Sequence, residues 1–349
     1  MRVVVTGASG NVGTSLLQAL AGDSAIDSAV GISRRRPQLE LPKTEWATAD
    51  VAESDLVRLF RGADAVVHLA WLIQPSRDRN LLWRVNVEGS TRVFRAAAEA
   101  AVPALVHASS VGAYSPGPKD RPVDESWPTN GVRTNDYSLQ KAEVERRLDR
   151  FEREHPDVRV VRLRPALIFK RESATEQRRL FAGPLVPGAL LRPGIVPFVP
   201  EIRELSFQAV HSHDVGQAYR LAVVRDVRGA FNIASPPVLD MTSVARLLRA
   251  RTFSLSAGTA RRIASLAYRA HLTPLPPDWL DMGLAAPLLH ARRAREELGW
   301  SPRYTGEDAM TDLLSGLRDG AGLATPPLSP RTTGPARVRE LASGIGRRE

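Results

Sequence analysis

Tyr137 and Lys141 stand four residues apart in Tyr137-Ser138-Leu139-Gln140-Lys141, directly after Thr134-Asn135-Asp136, a stretch suited to opening a helix. On a helix that spacing puts both side chains on one face. A free tyrosine ionises near pH ~10, and a close ammonium favours the phenolate and lowers that value. Such a pair can exchange a proton with a carbonyl or hydroxyl while a hydride moves at a neighbouring cofactor. Tyr-x3-Lys alone is common on ordinary helices, so its weight comes from its place in the chain. It follows an apolar run ending His107-Ala108-Ser109-Ser110. A hydroxyl there would project at the carboxyl edge of a sheet, where open α/β folds bind ligands. Ser110 is the candidate donor to a reacting oxygen, and Ser109 is expected to be structural.

The second chemical signature is Thr6-Gly7-Ala8-Ser9-Gly10-Asn11-Val12-Gly13. It follows a strand-like run and opens a helical one. Gly7 permits a tight turn, Gly10 lets the backbone approach a pyrophosphate, and Gly13 lets helix and strand pack closely. The helix N-terminus offers free N–H groups to phosphates. At the end of the second strand, Ser33-Arg34-Arg35-Arg36 stands where an NAD site needs an acid, and no acid occurs before Glu40. Arginine forks suit a 2′-phosphate, which favours NADP over NAD, with a solvated basic loop as the rival reading. Asp50, after the third strand, is placed to reach an adenine edge or to cap the next helix.

The elements that must hold these groups are legible as an alternation. Apolar β-branched runs at 2–6, 29–33, 46–49, 65–70, 104–109 and 158–163 are separated by amphipathic stretches at 13–21, 53–60, 81–101 and 135–154. That pattern predicts a Rossmann-type, doubly wound parallel sheet covered on both faces, in an α/β fold. Residues 1–165 are expected to form a dinucleotide-binding domain and 166–315 a smaller C-terminal α/β substrate region. Within the latter, 183–200 reads as loop, 231–234 as a returning strand in a segment (205–234) that packs back on the first domain, and 241–315 as mainly helical. Residues 320–349, rich in Pro, Gly, Thr and Arg, read as a mobile tail.

Composition removes several classes. The 349 residues include no cysteine, which excludes disulfides, thiol catalysis and Cys-ligated metal. No run of about 18 apolar residues exists, and the start is too short in apolar residues for a signal peptide. The expectation is a cytoplasmic protein with no membrane partner. Of 48 basic residues only four are lysines, and the net charge is +10. Residues 1–240 carry 32 basic and 28 acidic side chains, so most of the excess lies on the C-terminal third. No aromatic interleaving accompanies it, so no nucleic-acid partner is expected.

With these residues assembled, the chain resembles the extended short-chain dehydrogenase/reductase family, the NAD-dependent epimerase/dehydratase group, from Met1 to about Pro302. The resemblance rests on Thr6–Gly13, Asp50-Val51, His68-Leu69-Ala70, Asn86 in Val85-Asn86-Val87-Glu88-Gly89, Ser109-Ser110 with Tyr114, and Tyr137/Lys141. It continues through Arg164-Pro165, His211-Ser212-His213-Asp214-Val215, Phe231-Asn232-Ile233 and Glu297-Leu298-Gly299-Trp300-Ser301-Pro302. It implies that Ser110, Tyr137 and Lys141 are catalytic. It implies a cofactor site of Gly7, Ser9, Gly10, Asn11, Val12, Gly13, Ser33, Arg34, Arg35, Asp50, Val51, Leu69, Ala70, Trp71, Asn86, Ala108, Ser109, Tyr137, Lys141 and Pro165. Ser110, Tyr114, Leu167 and Phe207 would face a small-molecule substrate. A homodimer through 81–101 and 135–153 is also implied.

The departures bear on the substrate. The family's Arg-Pro-x-Asn-Val-Tyr-Gly turn here reads Arg164-Pro165-Ala166-Leu167-Ile168-Phe169-Lys170, and Phe207 stands where an arginine grips a diphosphate. Losing charge-assisted phosphate contacts disfavours a sugar nucleotide, although Arg192 or Arg203 could supply a displaced cation. The expected activity is therefore NAD(P)-dependent hydride transfer at a small carbonyl/alcohol. The alternatives are a nucleotide-sugar epimerase with transient hydride transfer and a catalytically silent cofactor-sensing regulator. His211 and His213, two apart on a strand, would share a face but lack further ligands, so no metal is expected. His68 and His107 read as satisfied core histidines. The stretch 278–289, with Trp279 and Met282, either covers the cleft or packs in a core.

Overall fold

A computed structural model describes residues 1–74, 77–182 and 194–330. Seven parallel strands form the central sheet: β1 (Arg2–Thr6), β2 (Ser28–Ser33), β3 (Thr44–Thr48), β4 (Ala65–His68), β5 (Ala104–Ala108), β6 (Arg159–Pro165) and β7 (Gly229–Ile233). Their order across the sheet is β7-β6-β5-β4-β1-β2-β3. The winding reverses between β1 and β4, which opens a crevice at the carboxyl ends of those strands.

Strand alternation sends successive valines of β1 to opposite faces. Val3 and Val5 enter a core with Leu16, Leu17 and Leu20 of α1 (Asn11–Ala21) and Val215, Ala218 and Tyr219 of α4 (Ser212–Val224). Val4 enters the opposite core with Val93, Phe94 and Ala97 of α2 (Gly89–Glu99) and Val144 and Leu148 of α3 (Asp136–Glu154). Two covered faces explain why β1 is an unbroken apolar run. The returning strand β7 pairs with β6, from Gly229 opposite Val161 to Ile233 opposite Pro165. Short two-stranded pairs lie outside the sheet, among them Leu167–Phe169 beside Ala209–His211 and Phe198–Glu201 beside Arg251–Ser254.

Local chemistry explains where element boundaries depart from the expected ones. The 53–60 stretch is helical only over Val57–Phe60. The Asp50 carboxylate accepts the Ala52 N–H (2.9 Å), and the Asp50 carbonyl accepts Ser54 N–H (2.9 Å), folding 50–54 into turns. The 81–101 stretch is not one continuous α-helix. A wide π-type turn at Arg84–Glu88 separates Arg79–Trp83 from α2 and carries Asn86 inward. His211 ends a strand and His213 lies in the first turn of α4, so the two do not share a strand face. The His211 ring stacks on Tyr304, its Nε2 meets Asp312 (3.2 Å) and its Nδ1 accepts the His213 N–H. The expected loop over 183–200 and Arg192 lie, up to residue 193, outside the described residues. Of the segment expected to be mobile, residues 320–330 pack on the body, with Leu328 and Thr325 buried; 331–349 lie outside the described residues.

Candidate active site

The glycine turn joins β1 to α1 with the backbone drawn tightly together. Gly7 has φ +71°, and a Cβ there would lie 2.7 Å from the Ala70 nitrogen. A Cβ on Gly13 would lie 2.5 Å from the carbonyl oxygens of both Gly7 and Ala8. Gly10 caps α1 without any side-chain bond to the first-turn N–H groups, and Asn11 Oδ1 is buried without a partner. An uncapped helix start behind a turn that excludes side chains fits the phosphates of a dinucleotide. Ser33 is buried at the end of β2, where its hydroxyl donates to the Arg35 carbonyl (2.8 Å), and the Arg34 and Arg35 side chains are exposed beyond it. Val51 is buried below the Asp50 turn.

At the end of β4, Leu69, Ala70 and Trp71 run along the crevice, and Asn86 holds that segment. Its amide accepts Leu72 N–H (2.7 Å), donates to Leu72 C=O (2.8 Å) and donates to Gln140 of α3 (2.8 Å). Asn86 therefore braces the crevice wall through the main chain. His68 is a satisfied core histidine, bonded to Thr6 (2.7 Å) and Ser90 (2.8 Å). His107 departs from expectation: neither ring nitrogen has a partner, and burial drives its pKa well below the ordinary value.

The catalytic candidates meet where β5 ends. Asn135 caps α3 by accepting Ser138 N–H (2.8 Å), which fixes the start of the helix that carries Tyr137. Ser110 Oγ accepts Gly112 N–H (3.0 Å) and lies in hydrogen-bonding reach of the Tyr137 hydroxyl. Burial raises the Tyr137 pKa, and the Ser110 bond opposes that shift. Lys141 Nζ donates to the Ala108 carbonyl (2.8 Å) and lies 3.4 Å from the centre of the Trp71 ring and 5.8 Å from that of Tyr137. Burial lowers its pKa to about 7, with Glu145 pulling the other way. Tyr137 is walled by aromatic rings: Trp71 edge-on (5.8 Å) and Trp279 (5.1 Å) from α6 (Asp278–Ala285). Met282 of α6 comes within 3.3 Å of where a Gly112 Cβ would stand. The 278–289 stretch thus covers the cleft through Trp279 and Met282. A cavity bounded by Leu72, Ile73, Tyr137, Gln140, Asp278 and Trp279 opens beside the tyrosine.

One expected substrate contact is placed differently. Tyr114 is fully buried, donates to Asn232 (2.6 Å) and accepts from Arg164 (3.1 Å); burial pushes its pKa up to about 12. It is a core residue, which corrects the expectation that it faces substrate. Phe207 packs with Phe169, Leu239 and Met310 in a small core. Leu167 is exposed on its short strand. Pro165 ends β6 opposite Ile233.

Two buried charged groups were not anticipated. Glu145 continues the four-residue spacing of Tyr137 and Lys141, and beneath the site it accepts from Ser109 (2.5 Å), Arg162 (2.9 Å) and Arg164 (2.8 and 2.9 Å). This is the structural role expected of Ser109. The spacing of four, and two arginines two apart on one strand, were the available signals. Lys170 is buried with its ammonium on Asn11 C=O (2.9 Å), Thr14 Oγ1 (2.7 Å) and Ser15 Oγ (3.0 Å), all in the first turns of α1.

The parallel sheet and the glycine turn under an uncapped helix define a Rossmann-type α/β fold. The chain matches the NAD-dependent epimerase/dehydratase family over residues 3–234, and it belongs to that family. An uncharacterized protein of Mycobacterium tuberculosis is 27% identical over 326 residues, covering 93% of this chain and 31% of the relative. The chain thus spans about a third of the length of the first such relatives. An NAD-dependent glucose-6-phosphate dehydrogenase of Haloferax volcanii is 30% identical over 192 residues, covering 51% of this chain and 72% of that one. Among solved structures, gox2253 superposes with a TM-score of 0.70 at 22% identity, covering 91% and 98% of the two chains. The UDP-glucose 4-epimerase of Thermotoga maritima, solved with UDP-glucose, gives 0.68 at 18% identity, covering 91% and 99%.

Proposed function

We propose that the protein is an NADP-preferring oxidoreductase acting on a small, largely apolar carbonyl/alcohol pair. The observation that carries this reading is the convergence of the Ser110 and Tyr137 hydroxyls at the end of β5, walled by Trp71, Trp279 and Met282. Gly7 to Gly13 would hold the pyrophosphate, Asp50 and Val51 the adenine side, and Arg34 and Arg35 a 2′-phosphate. When bound, the dinucleotide supplies or accepts the hydride.

The chain's own groups account for the proton. The Ser110 oxygen accepts Gly112 N–H, which leaves its hydroxyl hydrogen free to turn toward Tyr137 or a substrate oxygen. Tyr137 is the proton carrier. Burial holds it protonated, which suits donation to a developing alkoxide in the reducing direction. Lys141, one helical turn deeper, supplies the positive charge that favours its phenolate in the reverse direction. The aromatic walls around Tyr137 support a substrate without a diphosphate.

The test is Tyr137→Phe. Turnover of NADPH with a panel of small ketones and aldehydes should fall by on the order of 10² to 10⁴ while NADPH binding, followed by fluorescence, is unchanged. Full turnover in the variant would refute the reading. Interconversion of a UDP-sugar with no net NADPH consumption would favour the epimerase instead. Removing Arg34 and Arg35 together should weaken NADPH binding and leave NADH binding unchanged.

A further inference from the structure

The helix α5 (Ala257–Arg269) is turned the wrong way for a core helix. Its alanines at 257, 260, 264 and 267 face the body, whereas Ile263 and Leu266 point outward, 55% and 65% exposed. A globular helix normally buries the large apolar side chains. The short strand pair ahead of it shows the same inversion. Phe198 pairs with Arg251, and Phe253 with Pro200, so the two phenylalanines share one face, and that face is the exposed one, while Val199 points inward. Ile195 and Leu272 are also exposed, so the segments 195–198 and 253–272 hold six of the ten exposed large apolar side chains among the described residues.

The charge on α5 and on the strand Arg251–Ser254 is of one sign. Between residues 241 and 277 the chain has six arginines (246, 249, 251, 261, 262 and 269) and neither aspartate nor glutamate. Arg261 pairs with Asp281 and Arg246 with Glu307. Arg251, Arg262 and Arg269 are exposed and pair with no carboxylate among the described residues. Arg262 and Arg269 flank Ile263 and Leu266 along the outward stripe of the helix.

We propose that α5 and the Phe198/Phe253 face dock on the surface of a bilayer containing anionic lipid. Exposed apolar side chains bordered by unpaired arginines are the two signals that hold a peripheral helix at such a surface. The contact is peripheral: no helix of the described residues is long and apolar enough to cross a membrane. Charge argues against the other occupants. A twofold contact with a second copy would set these arginines against one another, and the one acid on the strand pair, Glu201, is outnumbered by them. A nucleic acid would leave Ile263, Leu266 and Leu272 without a partner.

The surface adjoins the cleft. Arg77 stacks on Tyr268 (4.0 Å), and the Arg261–Asp281 pair (2.8 Å) ties α5 to α6, whose Trp279 walls Tyr137. An apolar substrate dissolved in the bilayer would therefore meet the protein beside its cleft. That last step rests on the proposed oxidoreductase reading, whereas the docking itself does not.

The test is sedimentation of the full chain with vesicles of phosphatidylcholine alone or mixed with phosphatidylglycerol, without substrate, at low and high salt. Binding should require phosphatidylglycerol and fall with salt. Arg262→Ser with Arg269→Ser should weaken it by roughly 25-fold, about fivefold for each arginine. Ile263→Ser with Leu266→Ser should weaken it by about tenfold or more at unchanged charge. All four side chains are exposed, and an unchanged melting curve shows that each variant folds. Equal binding to neutral vesicles, or no effect of either double substitution, would overturn the proposal. So would a dimer in sedimentation velocity that the Ile263/Leu266 variant abolishes, or salt-sensitive binding to duplex DNA in place of vesicles. Because no turnover is measured, failure of the oxidoreductase reading would leave this result standing.

Discussion

Replacing Glu145 by glutamine keeps the side chain's shape and removes its charge from beneath the active site. The carboxylate takes four bonds, one from Ser109, one from Arg162 and two from Arg164. Arg162 would keep its contacts to Asp149 and Glu152. Arg164, only 5% exposed, would keep neutral partners alone, the Tyr114 hydroxyl and the Glu125 carbonyl. Stripping one partner from a buried ion pair costs about 3–5 kcal/mol. With Arg162 still compensated, the lower end applies, about 3 kcal/mol, or on the order of 4 °C in Tm for a chain of this size. The pH dependence fixes the sign. Burial alone would raise the Glu145 pKa, but Arg164, Arg162 and Ser109 outweigh it and hold the carboxyl well below its ordinary value. A depressed carboxyl contributes its full stability above its unfolded value of about 4.3 and loses it as pH falls toward the folded value. Urea unfolding of the two proteins should therefore show a gap at pH 5 that closes as the pH falls through about 4.3 and below. A gap below about 1 kcal/mol at neutral pH, or one that widens in acid, would refute the account.

Two further outcomes follow from the same contacts. Gly13→Ala places a Cβ 2.5 Å from two backbone carbonyls, so α1 must shift; NADPH affinity should drop by tenfold or more, with a lower Tm, in a fluorescence titration and a thermal melt. Burial lowers the Lys170 pKa to about 8, so below pH 8 its desolvation cost is fully present, and the cost is relieved as pH rises toward 10.5. The stability of the native chain relative to Lys170→Met should then rise by up to roughly 3 kcal/mol between those limits, and a flat difference in unfolding free energy would contradict it.

The parts of this fold visible in the sequence are those governed by local pattern. The β1 run and the glycine turn needed only a period and a spacing, and Ser110, Tyr137 and Lys141 followed from their position after β5. Departures arise where a side chain makes bonds that no periodic pattern announces, in its own turn or far along the chain. Asp50 folded its own neighbours into turns, and Asn86 sat on a wide turn because its amide serves Leu72 and Gln140. Tyr114 was misplaced because its hydroxyl partners, Asn232 and Arg164, are 118 and 50 residues away. Lys170 was visible only as a lysine where the family has glycine. Its three oxygen partners belong to a helix more than 150 residues earlier.

One stripe of α3 joins the chemistry to the fold. Tyr137 lies in the cleft, Lys141 one turn deeper and Glu145 one turn deeper again, against the arginines of β6. Burial opposes every charge on this stripe, raising the tyrosine and lowering the lysine, and only Glu145 has enough cationic partners to remain ionised regardless. Lys141 therefore titrates near neutrality, with the Glu145 charge four residues on as the influence that keeps it from falling further. The carboxylate that neutralises Arg162 and Arg164 is the same one that sustains the ammonium beside Tyr137. A substitution at Glu145 consequently reaches the proposed proton relay as well as the core, and the two effects separate by pH. The stability change belongs to acid, and the change in lysine charge belongs to the neutral range.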